Sequence, residues 1–300
     1  MATDAGIQGR VVAAHGRHYT VELADRTLRQ CFTRGKKSGP TVGDLVVVLP
    51  QGSSEGVIDR ILPRRNLLYR SDATRSKQFA SNIDQTLIVL APEPDFSEDL
   101  TGRALVASRS AGVQPIIILN KADLTHKLAA AHQRIGPYEG LGAAVITLSA
   151  LDTEQTHRIM DPVLRGRSSL LLGQSGMGKS TLLNALVPQA HAATRAHSES
   201  LGSGRHTTTA TRLYHLASGG DLIDSPGFQA FGLQHLSPPE IVYGFPEFTL
   251  AIEHCRFYNC THQHEPGCGV LAAMARGEIQ PARHELYLRI LAENQAAQRY

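Results

Sequence analysis

The stretch Ile118 to Asp123, ILNKAD, ends an apolar run in a turn of the form N-K-x-D, and it lies upstream of Gly173 to Thr181, GQSGMGKST. The second stretch satisfies G-x-x-x-x-G-K-[ST] between an apolar run and a helical start. There, backbone N–H groups converge on phosphate oxygens at the positive end of a helix. Lys179 is then the residue to neutralise β- and γ-phosphates and Ser180 the one to ligate Mg²⁺. Gly173, Gln174, Ser175, Gly176, Met177, Gly178 and Thr181 complete the cradle.

In N-K-x-D the carboxylate of Asp123 accepts two hydrogen bonds from the ring N–H and exocyclic amine of guanine. Adenine offers no such donor pair, so a site built this way rejects it by about 10⁴, because the buried acceptor would be left unpaired. Asn120 would brace the turn and Lys121 lie along the base. Leu148 to Ala150, LSA, closes the next strand with Ser149 and Ala150 placed to meet the guanine oxygen. Further on, DLIDSPG puts Asp224 at a strand end, to hold Mg²⁺ through water, and Gly227 where its N–H would meet the γ-phosphate.

In the usual order the phosphate loop comes first. Breaking one surface loop and joining the old termini rotates the order but keeps every strand neighbour, and with them the site. The chain therefore reads as a circularly permuted P-loop GTPase, in which the segment after Gly227 leads straight into whatever follows.

The strand pattern supports an α/β sheet, mostly parallel. Apolar runs at Gln85 to Ala91, Pro115 to Leu119, Ala144 to Leu148, Ser168 to Leu172, Arg212 to Leu216 and Asp221 to Ile223 alternate with helical stretches near Leu105, Lys127, His157 and Leu183. Ahead of it, five short strands from Gln8 to Leu62, separated by turn residues, predict a small OB-type β-barrel. Its basic loop would be TRGKKSG, Thr33 to Gly39, and neither Tyr19 nor Phe32 makes an evident stacking platform. We expect three domains: a barrel over 1–65, the GTPase domain over 66–235, and a small helical metal domain over 236–300.

Composition is that of a soluble globular chain, with 42% apolar and 19% charged residues in 300. No apolar run approaches the ~18 residues a membrane span needs. The N-terminal MATDAGIQGR has no apolar core of a targeting peptide, so a cytoplasmic location is expected. Net charge is +3, concentrated early: residues 1–70 hold 11 lysines and arginines against 6 aspartates and glutamates. That suits either a solvated face or nucleic-acid contact.

Of four cysteines, three crowd together as Cys255-x4-Cys260-x-His262-x5-Cys268. Three thiols and one imidazole match a closed tetrahedral Zn²⁺ site with no open position, hence structural; His264 is an alternative imidazole. Pro281 to Gln295 reads as an amphipathic helix with Leu286, Ile290 and Leu291 inward, packing on this metal region or facing a partner.

Taken in order, NKAD, GQSGMGKST, GRHTTT (Gly204 to Thr209), DSPG and CRFYNCTHQHEPGC (Cys255 to Cys268) resemble the bacterial ribosome small-subunit-dependent GTPase A family of circularly permuted GTPases, over most of the chain. The resemblance implies an OB domain, a permuted GTPase domain and a zinc domain with its imidazole at His262. It also implies a role in late maturation of the 30S subunit through contact with 16S rRNA, with hydrolysis of GTP to GDP stimulated by that subunit. In GRHTTT it implies a threonine that completes the Mg²⁺ shell: Thr208 is preferred over Thr207 and Thr209. His206 could orient water, and Arg205 is the nearest candidate for an arginine finger. Two features depart from the pattern: no long basic extension precedes the barrel, and Phe228 follows DSPG where many GTPases carry a water-orienting glutamine.

A monomer is expected. An alternative function is a nucleotide-switched RNA-binding module in which hydrolysis is incidental. A P-loop kinase acting on a small molecule conflicts with NKAD.

Overall fold

The computed structural model describes residues 6–34, 39–72, 76–188, 190, 210–228 and 231–297. The basic loop at 35–38, the GRHTTT segment with Arg205, His206, Thr207, Thr208 and Thr209, and Gln229 lie outside the described residues.

Strands β1 (Ile7–His15), β2 (His18–Leu23), β3 (Leu28–Thr33), β4 (Leu45–Gln51) and β5 (Glu55–Ile61) fall close to the five expected runs. They close on themselves in the order β1-β2-β3-β5-β4, with β4 returning to pair with β1. Closure satisfies both edges of each strand, and alternation sends Val11, Val21, Cys31, Val46, Val48 and Ile58 inward. Tyr19 joins this core, while Phe32 stays partly exposed.

Next comes a hairpin that the sequence pattern does not announce, β6 (Leu67–Ser71) with β7 (Ser76–Ser81), in a register that sets Arg70 opposite Lys77.

Four parallel strands follow: β8 (Gln85–Leu90), β9 (Gln114–Leu119), β10 (Ala144–Thr147) and β11 (Ser168–Leu172). The connecting helices are α1 (Glu98–Ser110), α2 (Thr125–Glu139) and α3 (Thr153–Leu164); α4 (Lys179–Leu186) leaves β11. β12 (Thr211–His215) and β13 (Asp221–Asp224) complete the order β10-β9-β8-β11-β13-β12, in which only β12 runs antiparallel. Helices on both faces explain why β8 and β11 are buried along their whole length.

β12 also pairs with β1, Ala13 opposite Arg212 and Ala14 opposite Thr211, so barrel and central sheet form one 11-stranded sheet. Polar contacts fasten the junction: Arg10 Nη1 donates to Asp221 Oδ2 at 2.5 Å and Nη2 to Ser168 Oγ at 3.0 Å.

The last part of the chain is helical: α5 (Pro238–Tyr243), a 3₁₀ turn (Pro246–Phe248), α6 (Thr249–Ile252), α7 (Gly269–Ala275) and α8 (Pro281–Ala297). Ser237 and Glu240 form a capping box at the start of α5. In α8 the expected Leu286, Ile290 and Leu291 are buried, and so are the polar Arg283, His284 and Asn294. This helix packs on α5, on α1 and on the cysteine region. Toward the cysteines, His284 Nε2 meets His262 O at 2.7 Å. Toward α1, Leu286 lies over Gly102, Arg103 pairs with Glu293 at 2.6 Å, and Arg289 donates to Asp99 at 2.9 Å. Arg283 and Glu247 pair at 2.6 Å, both almost fully buried, with Phe245 against the guanidinium. Losing one partner of such a pair costs roughly 3 to 5 kcal/mol because the other charge is stranded. No described helix is long and apolar enough to cross a membrane.

Candidate functional site

At the C-terminal ends of the parallel strands the permuted segments meet. Asn120 follows β9, is buried, and makes the central connection. Its Nδ2 donates to Met177 O at 3.1 Å and Gly178 O at 3.4 Å in the phosphate loop, and its Oδ1 accepts from Ala150 N at 2.9 Å. One amide thus joins the NKAD turn, the LSA turn and the phosphate loop. Gly178 is left-handed (φ +84), and a Cβ there would sit 2.3 Å from Asn120 Nδ2, so the glycine is required both by its backbone and by that approach.

Asp123 stands beside Ser149, whose Oγ donates to Asp123 Oδ1 at 2.5 Å and fixes the carboxylate plane. Lys121, itself left-handed (φ +60), reaches to Glu93 O at 2.8 Å. A cavity of about 470 Å³ opens here, lined by Asn120, Lys121, Asp123, Ser149, Ala150 and Thr181 among others. Its volume falls within the ~300 to 1,000 Å³ of small-molecule sites. Sequence reasoning missed four of its walls, Glu93, Pro94, Leu124 and Leu151. Only Leu151, three-quarters exposed on the rim, carries a signal that could have been read: a lone leucine just after the LSA turn.

In the phosphate loop, Lys179 Nζ donates to Gln174 O at 2.7 Å, and Gln174 Oε1 accepts from Ser97 N, the N-cap of α1, at 2.6 Å. Ser175 and Ser180 are exposed, while Gly173 and Met177 are buried. Asp224 ends β13 next to β11. Burial pushes its carboxyl up, against Lys179 and Lys77, and burial likewise pulls the Lys179 ammonium down, against Asp224. Both shifts favour the neutral forms, the sign expected where two opposite charges share a pocket whose desolvation outweighs their attraction. The donor set fits Mg²⁺ with a nucleotide: a hydroxyl and a carboxylate, Ser180 and Asp224, beside a phosphate cradle. Held there, such an ion would supply positive charge against the phosphates.

Phe228 is buried and tilted against Phe231, ring centroids 5.3 Å apart. The hairpin supplies contacts that no motif foretold. Lys77 Nζ donates to Pro226 O, Phe79 stacks on Phe231 at 5.4 Å, and Tyr69 stacks on His235 at 3.8 Å.

The cysteine cluster forms as expected. The ligand atoms of Cys255, Cys260, His262 and Cys268 lie within 4.8 Å of one another, and His264 is exposed outside the cluster. His262 Nδ1 is 3.6 Å from the sulfurs of Cys255 and Cys268. Tetrahedral bonds of about 2.3 Å to sulfur and 2.0 Å to nitrogen separate the two ligand atoms by roughly 3.5 Å, so the spacing fits one metal ion. Burial pushes the Cys260 thiol up to about 12, helped by Cys268 and Cys255 and opposed by a hydrogen bond with the His262 backbone. A bound cation would reverse that, since a coordinating thiol is deprotonated. Gly269 N–H points at Cys255 Sγ at 3.3 Å, and Glu265 ties the turn through Thr261 N at 2.6 Å.

The sequence model of the RsgA GTPase family matches residues 61–234. A protein of Bordetella pertussis named small ribosomal subunit biogenesis GTPase RsgA is 65% identical over 294 residues, 98% of either chain. The crystal structure of YjeQ from Thermotoga maritima superposes with a TM-score of 0.73 at 29% identity, covering 96% of this chain and 98% of that one. The structure of YloQ, described as a circularly permuted GTPase, gives 0.70 at 28% identity over 99% and 98% of the two chains. With barrel, permuted strand order and Cys3His cluster all in place, the chain belongs to the RsgA GTPase family and is a GTP-hydrolysing enzyme.

Proposed function

We propose that this enzyme binds the small ribosomal subunit, 16S rRNA included, during late maturation, hydrolyses GTP to GDP faster when docked there, and leaves after hydrolysis. The carrying observation is the Asn120 bridge, which holds the base-reading turn, the LSA turn and the phosphate loop in one cavity although the chain order is rotated. The partner is inferred from the name of the Bordetella relative and from the basic excess in the first 70 residues.

In this reading Asp123 reads guanine, with Asn120, Lys121, Ser149 and Ala150 around the base. Gly173 to Thr181 holds the phosphates, with Lys179 and Ser180 in catalysis, and Asp224 and Gly227 serve Mg²⁺ and the γ-phosphate. Thr208 completes the Mg²⁺ shell and His206 orients water. The Cys3His cluster holds one structural Zn²⁺. The domains run 1–65, 66–235 and 236–300, and the protein acts as a monomer in the cytoplasm.

The segment after Gly227 supports the coupling. It is held by the hairpin, through Ser71 N to Gly232 O at 3.0 Å, and by α8, through Asn294 Nδ2 to Gln234 O at 3.1 Å, so a shift at DSPG reaches the metal region through α8. The test is GTP turnover against 30S concentration, with pelleting of the protein on 30S, 50S and 70S particles in a non-hydrolysable GTP analogue and in GDP. Acceleration together with tighter 30S binding in the analogue is expected. A flat rate with equal affinities would overturn the proposal, and metal-replete protein without zinc by elemental analysis would remove the zinc assignment.

A further inference from the structure

Lys77 sits where no motif predicts a charge. Its strand, β7, belongs to the hairpin between barrel and central sheet, yet the side chain reaches across to the DSPG loop, where Nζ donates to Pro226 O. A Cβ built on Gly227 would lie 2.9 Å from Nζ, so the ammonium is at the very residue whose N–H is read as meeting the γ-phosphate. Its surroundings are those of a cation waiting for an anion. Arg70 stands directly opposite on β6, a like-charged cross-strand pair that destabilises an isolated ribbon. Lys179 approaches from the phosphate loop, and it and Lys77 both act on the buried carboxylate of Asp224. Burial and Arg70 both pull the Lys77 ammonium down, with Asp224 opposing. Its present partner, a neutral carbonyl, is a weaker acceptor than a phosphate oxygen.

We propose that Lys77 is a γ-phosphate ligand: when GTP enters, its ammonium exchanges the Pro226 carbonyl for a γ-phosphate oxygen, releasing the DSPG backbone as it does so. The inference rests on DSPG being the γ-phosphate loop and deepens that reading. It supplies in cis a positive charge that the described part of the site otherwise lacks beyond Lys179. It also gives the hairpin a role. Lys77 and Phe79 face DSPG and Phe231, while Tyr69 and Ser71 hold His235 and Gly232, so the element that feels the third phosphate also grips the segment leading to the helical end of the chain.

The experiment measures affinities of the full-length protein, with Mg²⁺, for fluorescent GDP and a fluorescent non-hydrolysable GTP analogue, in wild type, Lys77→Gln, Lys77→Arg, Lys77→Ala and Asp123→Ala, with thermal melting to establish folding. A glutamine amide can still donate to Pro226 O but carries no charge. Lys77→Gln should weaken the GTP analogue by about 10- to 100-fold, the range for a charge-assisted contact, leave GDP within about threefold, and be largely rescued by Lys77→Arg. Lys77→Gln with an unchanged ratio of the two affinities overturns the proposal, as does a Lys77→Ala loss shared equally by both nucleotides, which marks a purely structural tie. Asp123→Ala separates the levels. Loss of both nucleotides there with an unmoved Lys77→Gln ratio sinks Lys77 alone, whereas a wild type that binds neither nucleotide, or an Asp123→Ala that binds both normally, sinks the site reading and Lys77 with it.

Discussion

The corner of the NKAD and LSA turns, proposed to hold the base, and the DSPG loop, proposed to meet the γ-phosphate, are built on opposite plans. At the base end, Asn120 and Ala150, and Asp123 and Ser149, are joined by short hydrogen bonds at the ends of the parallel strands β9 and β10. At the other end, DSPG is anchored by Ser225, whose hydroxyl lies 2.9 Å from that of Thr211, while its Pro226 carbonyl is held by one long lysine from a separate two-stranded hairpin, with aromatic stacking behind it. Selectivity between bases needs an acceptor that cannot relax toward the wrong partner, whereas sensing a third phosphate needs a contact that can be exchanged. In the proposed reading, the rigid corner chooses the nucleotide and the other reports its state.

The largest effect should come from the rigid corner. Asp123→Asn should weaken GTP binding by about 10³- to 10⁴-fold and improve binding of xanthosine triphosphate, whose carbonyl suits an amide donor. Competition binding with both nucleotides checks this, and unchanged preference would break the contrast at its stronger side. Second, Lys179→Ala should lower single-turnover hydrolysis by about 10²- to 10³-fold with a normal melting temperature, since it removes charge where the transferred phosphoryl group develops it. Third, Asn120→Ala should weaken GDP and GTP analogues alike by roughly 100-fold, because it leaves buried carbonyl and N–H groups unpaired without touching the γ-phosphate. A selective loss of the triphosphate alone would show that the two ends are not separable.

The smallest effect sharpens the loose side through His235, stacked on Tyr69. Burial lowers its pKa to about 4, against Glu240, so the unfolded chain takes up the proton first. The stability it lends is fully present above an unfolded pKa of about 6.5 and is lost as pH falls from there toward 4. Melting curves across that window should fall less steeply in His235→Phe than in wild type.

Legibility in the sequence follows the same divide. The base corner is written in short motifs because each hydrogen bond there needs a particular side chain at a fixed strand end. The barrel was legible from alternation, and the cysteine cluster from ligand spacing. The hairpin was not, because β6 and β7 bury residues without strict alternation and are covered by residues 231–236, more than 150 positions away. Lys77 carries no local mark, its meaning arising only from where Pro226 and Gly227 come to rest. For α8 the apolar stripe was read correctly, while its packing on α1 depends on Gly102 giving room to Leu286 and on Arg103 finding Glu293. The GRHTTT roles remain expectations from the resemblance.

The pairing of β1 with β12 bears on how the chain is made. β12 is one of the two outer strands of the central sheet, and an unpaired outer strand invites pairing with other chains. The barrel that covers it is complete at Ile61, 150 residues before Thr211, which at ~5 to 20 residues per second is roughly 8 to 30 s of synthesis. A small closed barrel folds well within that interval, so β1 stands ready as a template when Thr211 to His215 emerges. The strand carrying the risk of aggregation is therefore shielded by the oldest part of its own chain, and a deletion of the barrel should yield a central sheet that aggregates during expression.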